Sequence, residues 1–118
     1  MALSTQDVLE IAPVNAWLVI GDAAAYPTTR ELAQMRRRRT PSDIWTAPSQ
    51  AQPGDLLLFY FTHPIKEIRF AARAASNPFF DASISINAER VVDQHQWWIT
   101  HTPLHEVPPI SCSLNRLR

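Results

Sequence analysis

Apolar positions fall in runs along the chain. The longest, Leu56 to Phe61, follows Gln52-Pro53-Gly54-Asp55. Pro53-Gly54 predicts a sharp turn, and Asp55 opens a strand through Thr62 that is apolar on both faces and suits the middle of a small sheet. A second strand-like run, Lys66 to Ser76, follows through His63-Pro64. There Ile68, Phe70, Ala72 and Ala74 share one face, and Glu67, Arg69 and Arg73 share the other. Ala16 to Ile20 reads as a further strand, stopped by Gly21-Asp22. Being apolar on both faces, it is expected to be central. Gln96 to Thr102, with Trp97-Trp98-Ile99-Thr100 at its heart, is the last strong strand and runs on through Leu104 to Ile110.

Two segments carry helix signals. Ser4 is placed to cap a short helix, with Asp7 three residues on, near the capping-box pattern. Val8, Leu9 and Ile11 form its apolar face before Pro13. A second helix opens at Pro27-Thr28-Thr29, has Glu31 in its first turn and Arg36 to Arg39 in its last, and stops at Thr40-Pro41. Acid first and base last is the order the helix dipole favours. Between this helix and the long strand lies a short polar segment, Asp43-Ile44-Trp45-Thr46. Asn77-Pro78-Phe79-Phe80-Asp81 turns the chain, and residues 82 to 95 give no clear pattern. Five or six strands with two or three helices, too closely spaced for repeated βαβ units, predict a curved, barrel-like α+β domain.

At 118 residues the chain is one domain, 1–118, long enough for a single core. Ten prolines against two glycines fit many short elements with stiff connections. No apolar run is long enough to span a membrane, and no charged-then-apolar leader opens the chain, so no membrane partner or secretory signal is expected. A single Cys112 fits a reducing cytoplasm. Zero net charge argues against coating nucleic acid by bulk attraction, yet Arg36 to Arg39 form one basic block.

Catalytic patterns are missing. There is no Gly-x-Ser-x-Gly turn, and Cys112 reads as a small buried hydrophobe. With glycines only at 21 and 54, no phosphate-cradling loop is present, so dinucleotide and P-loop chemistry are set aside. Metal ligation through His95, His101 and His105 is disfavoured, because Pro103 breaks the helix that would align the last two. These histidines read as exposed strand ends. No cofactor and no metal are expected, and the chain is not expected to be an enzyme. Trp17, Trp97 and Trp98 lie in strong strands, and alternation sends the two adjacent rings to opposite faces. Trp45 stands between loops, where an indole serves as a stacking platform for a planar base. Phe79 and Phe80 are a second, similar case. Arg36, Arg37, Arg38 and Arg39 fan around a helix end, where two or three of them face solvent and contact phosphates.

These residues, taken in order, carry a resemblance. Ala-Trp-Leu-Val-Ile at 16–20, a helix, Ile-Trp-Thr-Ala at 44–47, Gln-Pro-Gly-Asp-Leu-Leu-Leu-Phe-Tyr at 52–60, the strand from Ile65 to Ser76 and the late Trp-Trp-Ile-Thr resemble an EVE domain and its sister, the YTH domain. Both belong to the PUA-like group, and the similarity covers roughly residues 15 to 110. It implies a PUA-like curved β-barrel of five to six strands flanked by two or three helices. It further implies binding of a base flipped out of a strand into an aromatic pocket, reading a modified cytosine or N6-methyladenine. Carried over, Trp45 matches the cage Trp and Thr46 the position where a backbone group meets the base edge. Gly21 and Asp22 lie where such families place pocket polar groups, and Asp22 is suited to accept from an exocyclic amine. The chain departs from the pattern at Ile20-Gly21-Asp22 and in 81–95, which holds no aromatic. Phe79, Phe80 or Trp98 would then form the second wall.

The implied partner is nucleic acid carrying a modified base, DNA ahead of RNA. The chain ends at residues 113–118, where the family often begins another helix. The expectation is a recognition module joined to or working with a nuclease or NTPase, as in modification-dependent restriction. Two other readings stand beside it. One is an RNA-processing factor or small enzyme, needing paired acids such as Asp22 and Asp81 at the pocket. The other is a protein- or small-ligand-binding domain using the same aromatics.

Overall fold

A computed structural model of the chain describes residues 3–80 and 97–111. Asp81, the stretch 82–95 with His95, Gln96, Cys112 and the tail 113–118 lie outside the described residues. Helix α1 (Thr5–Leu9) starts as its sequence dictates: the Ser4 hydroxyl accepts from the Asp7 N–H, and the Asp7 carboxylate accepts from the Ser4 N–H. Helix α2 (Thr29–Arg37) is capped by the Thr28 side chain, which accepts from the Glu31 N–H, and it buries Leu32 and Met35 one turn apart. A single 3₁₀ turn, Ala23–Ala25, precedes it.

Seven strands are described: β1 (Ala16–Gly21), β2 (Asp43–Thr46), β3 (Leu56–Phe61), β4 (Glu67–Arg73), β5 (Phe79–Phe80), β6 (Trp97–His101) and β7 (His105–Ser111). They form two open sheets, ordered β1-β3-β4-β7 and β2-β6-β5, linked by one bridge between Ala74 and His101. The class is α+β, but the expected PUA-like barrel of five to six strands is not what these sheets make. The edges of β1 and β2 do not hydrogen-bond as a ladder among the described residues. At that seam the Trp45 ring packs against Gly21, so a side chain fills the place where a closing pair would sit.

The predicted hairpin is present, with β3 and β4 antiparallel and Phe59 opposite Phe70. Alternation along β4 also holds, burying Ile68, Phe70, Ala72 and Ala74. β1 is not central. It forms an edge of the four-stranded sheet and runs parallel to β3, Trp17 opposite Leu57 and Val19 opposite Phe59. A parallel pair needs a long crossover, and here that crossover carries the 3₁₀ turn, α2 and β2. The supposed polar segment around Trp45 is itself strand β2, paired antiparallel with β6. α2 also ends sooner than expected: Arg38 has extended backbone, φ −79° and ψ 132°, so Arg38 and Arg39 lie beyond the helix.

The parallel pair is locked by a buried carboxylate. Gln52-Pro53-Gly54-Asp55 closes with the Asp55 N–H on the Gln52 carbonyl at 3.1 Å, and Gly54 takes φ 90°, which favours glycine. Asp55 is fully buried. Its oxygens accept from the Trp17 indole N–H at 2.8 Å, the Gln52 N–H at 3.0 Å and the Asn15 N–H at 3.2 Å. Burial alone would raise its pKa, but these donors together hold it below the ordinary carboxylate value. Nearby, the Arg73 guanidinium donates to the Gly54 carbonyl at 2.6 Å and to the Ile11 carbonyl, tying the end of α1 to the same turn.

Asp55→Ala leaves these three donors without their acceptor and is expected to lower stability by about 2–5 kcal/mol, with Asp55→Asn losing a smaller share. A depressed folded pKa means this stabilisation is present above the ordinary carboxylate value and is lost as pH falls through the lower folded one. Urea midpoints measured at neutral pH and down to about pH 2 check both points. The wild type should show an acid decline that Asp55→Ala lacks, and a variant with the wild-type midpoint at neutral pH contradicts the assignment.

Candidate functional site

Trp45 is half-buried on β2, its ring standing edge-on to Phe59 at 5.2 Å and to Phe61 at 6.2 Å between centroids. The close approach to Gly21 is specific. A Cβ on Gly21 would lie 2.4 Å from Trp45 Cζ2 and 3.5 Å from a Phe61 ring carbon. Gly21 is therefore the residue that lets the indole settle against the end of β1. The buried indole N–H has no acceptor among the described residues, a cost of about 1–3 kcal/mol that the ring's packing must offset.

The ring also forms a wall of a cavity of about 290 Å³ between the crossover and the three-stranded sheet. Pro27, Met35 and Leu104 supply apolar surface, and Glu31, Ser42, Asp43 and His101 supply polar atoms. The local sequence explains how they meet. Asp22 caps the 3₁₀ turn, its carboxylate accepting from the Ala25 N–H at 3.1 Å, and Ala25 forms part of the rim. Tyr26 then anchors the crossover by packing on Phe61 and Phe70, with centroids 5.0 and 5.2 Å apart. Antiparallel register sets Asp43 opposite His101 and Trp45 opposite Ile99, so all four share one face of the sheet.

His101, expected as an exposed strand end, is only 2% exposed, whereas His105 is exposed. Its Nδ1 lies 2.7 Å from the Thr102 carbonyl. A carbonyl only accepts, so Nδ1 carries the proton and the neutral ring keeps its lone pair on Nε2. Burial lowers the pKa of His101, outweighing the opposing pull of the Thr102 carbonyl and the Asp43 charge. Arg38 does not stand free for phosphate. Its Nη1 is 2.8 Å from Asp43 Oδ1 and donates to the Ser42 hydroxyl at 3.1 Å. Arg36, Arg37 and Arg39 are exposed.

Of the base-binding residues expected from sequence, Trp45 alone lines this cavity. Gly21 supports its ring from behind, and Asp22 orders the rim. Thr46 pairs with Trp98, and Phe79 pairs with Trp98 from the other side, which puts all three on the sheet face opposite Trp45. Trp98 is buried and Trp97 is 42% exposed, the split that alternation predicted. Phe80, 47% exposed, lies opposite Trp97 with ring centroids 6.4 Å apart. Sequence reasoning missed Glu31, Asp43 and His101 as one group. Each was visible, but only the β2–β6 register joins Asp43 to His101, and only the crossover brings Glu31 of α2 to the same lining. Among the described residues no group of three or more His, Cys, Asp or Glu could hold a metal ion, and no helix is long and apolar enough to cross a membrane.

No protein-family model matches the chain, and no curated protein matches it. Among solved structures it is similar to the NMR structure of Rpa0253 from Rhodopseudomonas palustris, with a TM-score of 0.57 and 15% identity, over 89% of this chain and 72% of that one. At that identity the likeness concerns the fold alone.

The Gly21–Trp45 contact makes a direct prediction. Gly21→Ala must push the indole aside, with an expected loss of about 1–3 kcal/mol and a shifted Trp45 indole N–H resonance. A variant with both quantities unchanged contradicts the packing described.

Proposed function

We propose that this chain is a nucleic-acid-binding module that takes a single modified base, flipped from a strand, into the cavity beside Trp45. The observation that carries the reading is the cavity itself. Its volume of about 290 Å³ lies just below the ~300–1,000 Å³ range of small-ligand sites, and it combines apolar walls with a few convergent polar groups. A flat indole wall offers stacking worth about 1–3 kcal/mol to a base. Asp43 and His101 stand on the same sheet face as that wall, positioned to meet a base edge. The exposed Arg36, Arg37 and Arg39 follow directly on Met35 and hold the flanking phosphates, while Arg38 braces Asp43. The resemblance to EVE and YTH domains supports the same reading, with Trp45 as the cage residue. DNA is favoured over RNA, and a fused or associated nuclease or NTPase would act on what the module marks, as in modification-dependent restriction.

Fluorescence titration with oligonucleotides containing cytosine, 5-methylcytosine, adenine or N6-methyladenine tests this. Binding should prefer a modified strand, weaken with salt, and drop about tenfold or more in Trp45→Ala. Trp45→Phe, which keeps an aromatic plug in the core, should give an intermediate loss, and Trp97→Ala should bind like the wild type. Equal affinity for modified and plain strands, unaffected by either Trp45 variant, contradicts the proposal.

A further inference from the structure

The lining of the cavity is unbalanced in charge. It holds two carboxylates, Glu31 and Asp43, and neither Lys nor Arg. Arg38 answers Asp43 from outside the lining at 2.8 Å. Glu31 makes no ion pair with a described residue, and it stands exposed at the mouth. His101 is buried to 2%, and with Nδ1–H committed to the Thr102 carbonyl it turns an acceptor, not a donor, outward from its ring. The Ser42 hydroxyl already accepts from Arg38. The Glu31 N–H itself is also taken, because it donates to Thr28 Oγ1 at 3.2 Å. What remains is one unanswered negative charge, acceptors on Asp43 and His101, the Ser42 O–H and the indole of Trp45. That set disfavours an anion and favours a cation, since an indole ring attracts positive charge and the partly enclosed space screens it less than bulk water.

We propose that the Trp45 cavity selects a positively charged heterocycle, a base alkylated on a ring nitrogen such as 3-methylcytosine or 1-methyladenine, over neutral modified bases. This rests on the reading that the cavity accepts a base. Trp45 stacks on the cation, Glu31 supplies the opposite charge at the mouth, and the lone pair of His101 Nε2 takes an N–H of the exocyclic amine. Neutral isomers gain the stacking but neither the charge attraction nor the full cation–π contribution.

Isomer pairs test this cleanly. The full chain is titrated calorimetrically at neutral pH with 3-methylcytidine against 5-methylcytidine, and with 1-methyladenosine against N6-methyladenosine. Members of a pair have the same atoms apart from the proton that makes one of them a cation. In at least one pair the cation is expected to bind about tenfold tighter, and Glu31→Gln should narrow that ratio to about threefold or less. If neutral isomers bind as tightly as the cations, and Trp45→Phe weakens both, the base-binding reading stands and charge selection falls. If no member of either pair binds, both fall together.

Discussion

A carboxylate buried without a cation is the constraint on which this fold turns. Asp55 has no ion-pair partner among the described residues, and its charge is met by N–H donors from the Gln52 turn, from Asn15 and from the Trp17 indole. Two of those donors belong to the start of β1 and one to the turn before β3. A single side chain therefore fixes the relative register of two strands that are distant in sequence. Because the strands run parallel, the chain between them must cross over, and that connection delivers α2 and β2 to the same side. The cavity is a consequence of this crossover. Its walls are crossover residues, closed off by Leu104 and the end of β6.

Trp45 serves both core and cavity. Its ring packs on Phe59 and Phe61 and leans on Gly21, so it is held rigidly, while its remaining surface borders open space. A stacking platform gains from such rigidity, since little freedom is left to lose when a planar ligand arrives. The indole occupies the seam between β1 and β2, and the molecule has a side-chain wedge where a barrel would have a ladder.

Features set by neighbours along the chain were legible in sequence. The Ser4 cap, the helix start at Pro27-Thr28-Thr29, the Pro53-Gly54 turn, the β3–β4 hairpin and the alternation from Ile68 to Ala74 each follow from residues a few positions apart. The split between Trp97 and Trp98 is equally local. What depended on distant pairing was not legible. Ala16 to Ile20 looks central because it is apolar on both faces, but sheet order made it an edge. Asp43 to Thr46 is too short and polar to announce a strand until β6 pairs with it. That same pairing buries His101 and brings it to Asp43, a meeting that no spacing within the sequence encodes. Trp45 lines a cavity, whereas two of the aromatics expected to face it, Phe79 and Trp98, lie across the sheet.

The most direct test of the central claim, that one base enters beside Trp45, uses the four tryptophans as built-in reporters. In a nitrogen–proton correlation spectrum each indole N–H gives its own signal. As a modified nucleoside is added to saturation, the Trp45 indole should move with the backbone amides of Glu31, Ser42 and Asp43, while the Trp17, Trp97 and Trp98 indoles hold their positions. Movement confined to Trp97 and Phe80, with Trp45 unchanged, would place the ligand on the outer aromatic pair and contradict the account.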